Sequence, residues 1–98
     1  MSESLFSLGL GLGSQNSKGE WLDIFYPQPL VQPSDALCKA IAPIVEYKGG
    51  NTAIAVNSEQ MSRVAEAAKA AGDSAQADIA AQLASSSQPL VVTLLAED

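Results

Sequence analysis

From Leu8 to Gly13 the chain alternates leucine with glycine: Leu8, Leu10 and Leu12 against Gly9, Gly11 and Gly13. A period of two is strand spacing, so the leucines share one face and the glycines leave the other bare. A bare strand face weakens the strand but admits close approach by another element. Ser14 to Gly19 is polar and reads as a turn. Glu20 to Tyr26 is rich in aromatic and β-favouring residues and reads as a second strand, paired antiparallel with the first across the short connector. Trp21, Asp23 and Phe25 alternate along it and are expected on one face, with at least one of them near water.

Pro27, Pro29 and Pro33 then enforce an extended loop. Ser34 suits a helix N-cap, and Asp35 stands in the first turn where the dipole favours an acid. Leu37, Cys38, Ile41, Ile44 and Val45 fall on one stripe of that helix. Pro43 predicts a kink or an early stop near Ala42. Thr52 to Asn57 is a short apolar stretch and a third strand. Asn57 or Ser58 caps a helix to about Ala71, with Met61, Val64, Ala65 and Ala68 inward and Gly72 at its stop. Asp73 or Ser74 opens another helix, with Gln76 placed to complete a capping box and Ile79, Ala80, Leu83 and Ala84 inward. Leu90 to Leu95 is continuously apolar but for Thr93, as in a strand buried on both faces. The order β-β-α-β-α-α-β predicts an α/β (α+β) fold: a small mixed sheet of about four strands with helices packed on it. If the third and fourth strands are adjacent and parallel, their crossover is right-handed.

Composition narrows the function more than the fold. The chain of 98 residues is 47% apolar and 16% charged, enough for one core and too short for two. It has no His and one Cys, so Ser-His and Cys-His mechanisms, Cys/His zinc sites and disulfide frameworks are all excluded within one chain. Eleven acids against five bases give a net charge of −6, which argues against nucleic acid or an anionic membrane as partner. The first cation is Lys18, behind a glycine-interrupted segment, which does not fit a secretory signal. No apolar run approaches the ~20 residues of a membrane span. The expected location is therefore cytoplasmic.

The candidate chemistry is thin. Gly9, Gly11 and Gly13 fall short of a dinucleotide-binding fingerprint, because Ser14 and Asn16 stand where its last glycine would and a strand, not a helix, follows. Glu20 and Asp23 are three apart on a strand and do not converge, while Glu97 and Asp98 are terminal. Cys38 lies on an apolar stripe, where a thiol behaves as a small hydrophobe. Trp21, Phe25, Tyr26 and Tyr47 could line a pocket but more commonly serve a core; the second strand is the one pointer to an interaction surface. No catalytic, cofactor-binding or metal-binding residue is assigned.

Two segments carry a resemblance. Ser4 to Asn16 with Trp21 to Tyr26 opens the chain, and Gln88 to Asp98 closes it, with Ala42-Pro-Ile44 and Gly50-Asn51 between. In this order and spacing they resemble the N-terminal domain of the bacterial tetrahydrodipicolinate N-succinyltransferases. The resemblance implies a cytoplasmic homotrimer that moves succinyl from succinyl-CoA, its co-substrate, to tetrahydrodipicolinate in diaminopimelate and lysine biosynthesis. It implies that the chemistry belongs to a left-handed β-helix of hexapeptide repeats, absent from residues 1–98, with active sites between subunits. Met1 reads as a natural start and the apolar last strand lies three residues from the end, so the chain is expected to be a single N-terminal domain of a longer enzyme. Its expected partners are its own β-helix and neighbouring subunits, with no cofactor of its own. The alternative from a different class is a free-standing binding or regulatory module; an enzyme using carboxylates alone is a third.

Overall fold

The computed structural model describes residues 6–96; Ser4, Leu5, Glu97 and Asp98 lie outside the described residues. Seven elements follow in the anticipated order: β1 (Phe6–Gln15), β2 (Trp21–Phe25), α1 (Asp35–Val45), β3 (Thr52–Val56), α2 (Ser58–Ala70), α3 (Ser74–Ala84) and β4 (Leu90–Ala96). The strands form one sheet in the order β2-β1-β4-β3. All three pairings are antiparallel, so the α/β fold holds but the sheet is antiparallel throughout rather than mixed. β3 and β4 are adjacent as considered, but antiparallel, so no parallel crossover arises between them; the two expected helices make the connection. α2 carries the chain back along the sheet and α3 returns it, so β4 starts beside the residue where β3 ended, Val56 opposite Leu90.

The alternation in β1 dictates the layering. Leu8, Leu10 and Leu12 stand opposite Leu94, Val92 and Leu90, and this face meets the helices. Leu37, Ile41 and Val45 of α1, Met61, Val64 and Ala68 of α2, and Ile79, Ala80 and Leu83 of α3 complete the core. Each large aliphatic side chain removed from water contributes about 1.5–3 kcal/mol. Leu90 to Leu94 are all buried, because β4 is central and both its faces are covered.

The helix ends follow local chemistry. The Ser34 hydroxyl accepts from the Leu37 N–H at 3.3 Å. Asn57 and Gln60 form a reciprocal capping box at 2.7 and 3.0 Å. The Gln60 amide also donates to the Ile44 carbonyl at 3.1 Å, pinning the last turn of α1 to the start of α2. Gly72, at φ +84°, closes α2 in the left-handed conformation that glycine tolerates. There the Gly72 N–H bonds the Lys69 carbonyl and the Asp73 N–H bonds the Ala68 carbonyl. That second bond consumes the donor that a capping box at Asp73 needs. Asp73 therefore caps α3 in one direction only, accepting from the Gln76 N–H at 3.2 Å.

Pro43 does not stop α1 near Ala42; the helix runs on to Val45. Pro43 is exposed, while Ile41 and Val45 on either side of it are buried. Burying two aliphatic side chains outweighs the ~3 kcal/mol that an interior proline costs. The helix then ends on Glu46 in a left-handed conformation, φ +58°, ahead of Gly49-Gly50.

Candidate functional site

The glycine face is where the sequence concentrates its unusual geometry. A Cβ on Gly11 would stand 2.5 Å from the Phe25 carbonyl oxygen, and one on Gly13 would meet the Trp21 ring and the Asp23 carbonyl at 2.5–2.6 Å. At Gly9 the neighbours would be the side chains of Leu30 and Tyr26. The bare face thus admits β2 and the proline-rich loop after it, which fold over β1. Val31 then pairs with Leu8 in an isolated bridge, with bonds of 2.6 and 3.0 Å. The Tyr26 hydroxyl lies 2.9 Å from Thr93 Oγ1, which locks the loop to the central strand. No helix start faces these glycines, so their amides form no phosphate cradle.

The register of β2 corrects one expectation. Leu12, Gly13 and Ser14 oppose Phe25, Ile24 and Asp23, but Gln15 opposes Trp21. Leu22 is the extra residue of a bulge, and a one-residue slip sends a side chain to the other face. Trp21 therefore packs over Gly13 on the glycine face, while Asp23 and Phe25 share the face of Leu12. Phe25 is left 63% exposed and Leu22 67% exposed.

The remaining candidates are dispersed. Glu20 belongs to the β1–β2 turn, where its carboxylate accepts from the Asn16 amide at 2.7 Å, and Asp23 is exposed on β2. Among the described residues no three His, Cys, Asp or Glu side chains gather as a metal-binding group. Cys38 is buried on α1, its Sγ 4.0 Å from the Phe6 carbonyl and 3.9 Å from that of Pro33. Burial raises its pKa above the ordinary thiol value, the Phe6 hydrogen bond opposes that shift, and the Asp35 charge adds to it. A sealed, protonated thiol is a poor nucleophile. Tyr47 packs edge-on against Phe6 with ring centres 5.2 Å apart and donates its hydroxyl to the Gly50 carbonyl at 2.8 Å. Both tyrosines are therefore structural in this fold, as is Trp21; Phe25 alone among the four aromatics faces water.

Two of the surface hollows among the described residues bear on these candidates. One of about 410 Å³ lies between α2 and α3, lined by Ala65, Ala77 and Ala81 together with Glu66, Lys69 and Asp78. The other, of about 200 Å³, lies at the β1–β2 corner between Leu12, Ser14, Asp23, Phe25 and Gln88. Sequence reasoning pointed to β2 but missed this corner, because the bulge that separates Phe25 from Trp21 leaves no mark in the residue pattern.

Over all 98 residues the chain is 54% identical to the 2,3,4,5-tetrahydropyridine-2,6-dicarboxylate N-succinyltransferase of Pseudomonas putida and 49% identical to that of Pseudomonas paraeruginosa. It is 39% identical over 93 residues to the protein of the same name in Vibrio cholerae. The resemblance drawn from the opening and closing segments thus extends along the whole chain. The chain spans about 28% of the length of the two Pseudomonas relatives. No protein-family model matches it.

Proposed function

We propose that this chain is the non-catalytic N-terminal domain of a cytoplasmic tetrahydrodipicolinate N-succinyltransferase. The parent enzyme moves succinyl from succinyl-CoA to tetrahydrodipicolinate on the diaminopimelate route to lysine. The observation that carries this reading is identity of 39–54% along almost the whole chain to proteins of that name, of which it makes up little more than a quarter.

The side chains support the division of labour. Succinyl transfer to an amine needs a base to take the amine proton and donors to hold the developing oxyanion. This chain has no His, its thiol is sealed beneath α1, and Glu20 is engaged in holding a turn. Its net charge of −6 repels a dicarboxylate and coenzyme A rather than steering them. The domain's part is then architectural. It packs beside the β-helix of its own subunit, helps arrange the homotrimer, and walls part of the cleft between neighbouring subunits. No helix among the described residues is long and apolar enough to cross a membrane, in keeping with such a role.

The coding region after Asp98 provides the test. Hexapeptide repeats there support the proposal. A stop codon in their place sinks it and leaves the free-standing binding module as the better reading.

A further inference from the structure

The β1–β2 corner is the part of the surface that the fold itself leaves unfinished. Phe25 stands on the helix-facing side of the sheet, opposite Leu12, yet it is 63% exposed, while Leu90 on the other side of Leu12 is buried. The helical layer therefore ends before it reaches β2. Among the described residues the large exposed apolar side chains are Leu22, Phe25 and Leu95, and two of these three belong to this one five-residue strand. Phe25 itself lines the 200 Å³ hollow, together with apolar Leu12 and polar Ser14, Asp23 and Gln88. Exposed large apolar side chains beside such a mixed apolar and polar lining suit a protein–protein contact.

We propose that this corner is the docking surface for the remainder of the longer protein, an inference that rests on the function proposed above. The occupant is argued from three observations. Most of the length of the matching relatives lies outside this chain, so a larger body is available to cover it. β4 begins at this corner, at Leu90 opposite Leu12, and ends at Ala96 opposite Phe6. Seven residues of strand put those ends about 20 Å apart, so the cover is a folded body rather than the segment directly after Ala96. A second copy of this chain is disfavoured, because self-association through this patch brings exposed Asp23 against Asp23 in a chain of net charge −6. The complementary surface carries an apolar side chain to fill the hollow and a cation or N–H donor to meet Asp23.

Hydroxyl-radical footprinting of the 98-residue chain and of the longer protein tests this. Phe25 is expected to oxidise readily in the short chain and to fall to the level of buried Ile41 in the long one. Equal oxidation in both overturns the proposal, and so does protection in the short chain that grows with its concentration, since that assigns the patch to a second copy. Phe25→Ser is the companion variant. It should leave the melting temperature of the short chain unchanged and raise amide exchange across Trp21–Phe25 in the longer protein; unchanged exchange there counts against the surface. If the coding region stops at Asp98, this inference and the proposed function fall together. If hexapeptide repeats follow and Phe25 is still oxidised in the longer protein, only the docking surface is wrong.

Discussion

Gly11→Ala puts the close approach of β2 to β1 under direct test. The new Cβ stands 2.5 Å from the Phe25 carbonyl oxygen, whereas ordinary contact begins at 3.4 Å, so something must yield by about 0.9 Å. The obstacle is backbone, and it has little room to retreat. Phe25 is paired with Leu12, and the next residue, Tyr26, is tied to Thr93. Overpacking of this kind costs about 1–3 kcal/mol, offset by about 0.5–1 kcal/mol because alanine loses less chain entropy than glycine in a strand. The net loss centres on about 1 kcal/mol. With a urea slope of roughly 2 kcal/mol per molar, the unfolding midpoint should drop by about 0.5 M with the slope unchanged. Gly9→Ala is the internal control. Its closest neighbour is the half-buried Leu30 side chain, which can rotate away, with the Tyr26 ring at 3.1 Å, so the expected loss is about 0–1 kcal/mol. A Gly11→Ala midpoint at or above that of the parent, or a Gly9→Ala variant weaker than Gly11→Ala, refutes the reasoning.

Tyr26→Phe leaves the buried Thr93 hydroxyl without its 2.9 Å partner and should cost about 1–2 kcal/mol by urea melt, whereas Tyr26→Phe with Thr93→Val should recover most of it. Glu46→Gly relieves a left-handed residue at the end of α1 and should stabilise the chain by about 0.5–1 kcal/mol, seen as a raised thermal midpoint. Asn57→Ala opens the capping box of α2 and should cost about 1 kcal/mol in the same assay. Cys38 should resist a thiol reagent in the native chain at pH 8 and react at once in denaturant. Because the folded thiol keeps its proton to higher pH than the unfolded one, stability should fall as pH rises through 9.0 and above, and Cys38→Ala should abolish that component.

What the sequence discloses is what local chemistry decides. Ser34, Asn57 and Gly72 act where capping rules put them, because each satisfies groups within a few residues of itself. The leucine–glycine alternation located both the core face and the close approach, since a period of two allows no other reading. What it conceals depends on distant partners. Whether α1 passes Pro43 turns on how deeply Ile41 and Val45 are buried. The bulge at Leu22 arises from the pairing of β1 with β2, so the separation of Trp21 from Phe25 is invisible in the residue pattern. At Asp73 two local rules compete for one N–H, and the α2 terminus takes it. The two helices between β3 and β4 are legible in the sequence, but the antiparallel pairing they lead to depends on how α2 and α3 pack on the sheet. The candidate site fared likewise: β2 was legible as a surface, the exposed Phe25 corner was not.

The most direct measurement is of succinyl transfer itself. The purified 98-residue chain is incubated with succinyl-CoA and tetrahydrodipicolinate, and free coenzyme A is followed by its thiol. A non-catalytic domain predicts release at the rate of buffer alone. Saturable turnover proportional to the amount of chain contradicts the account.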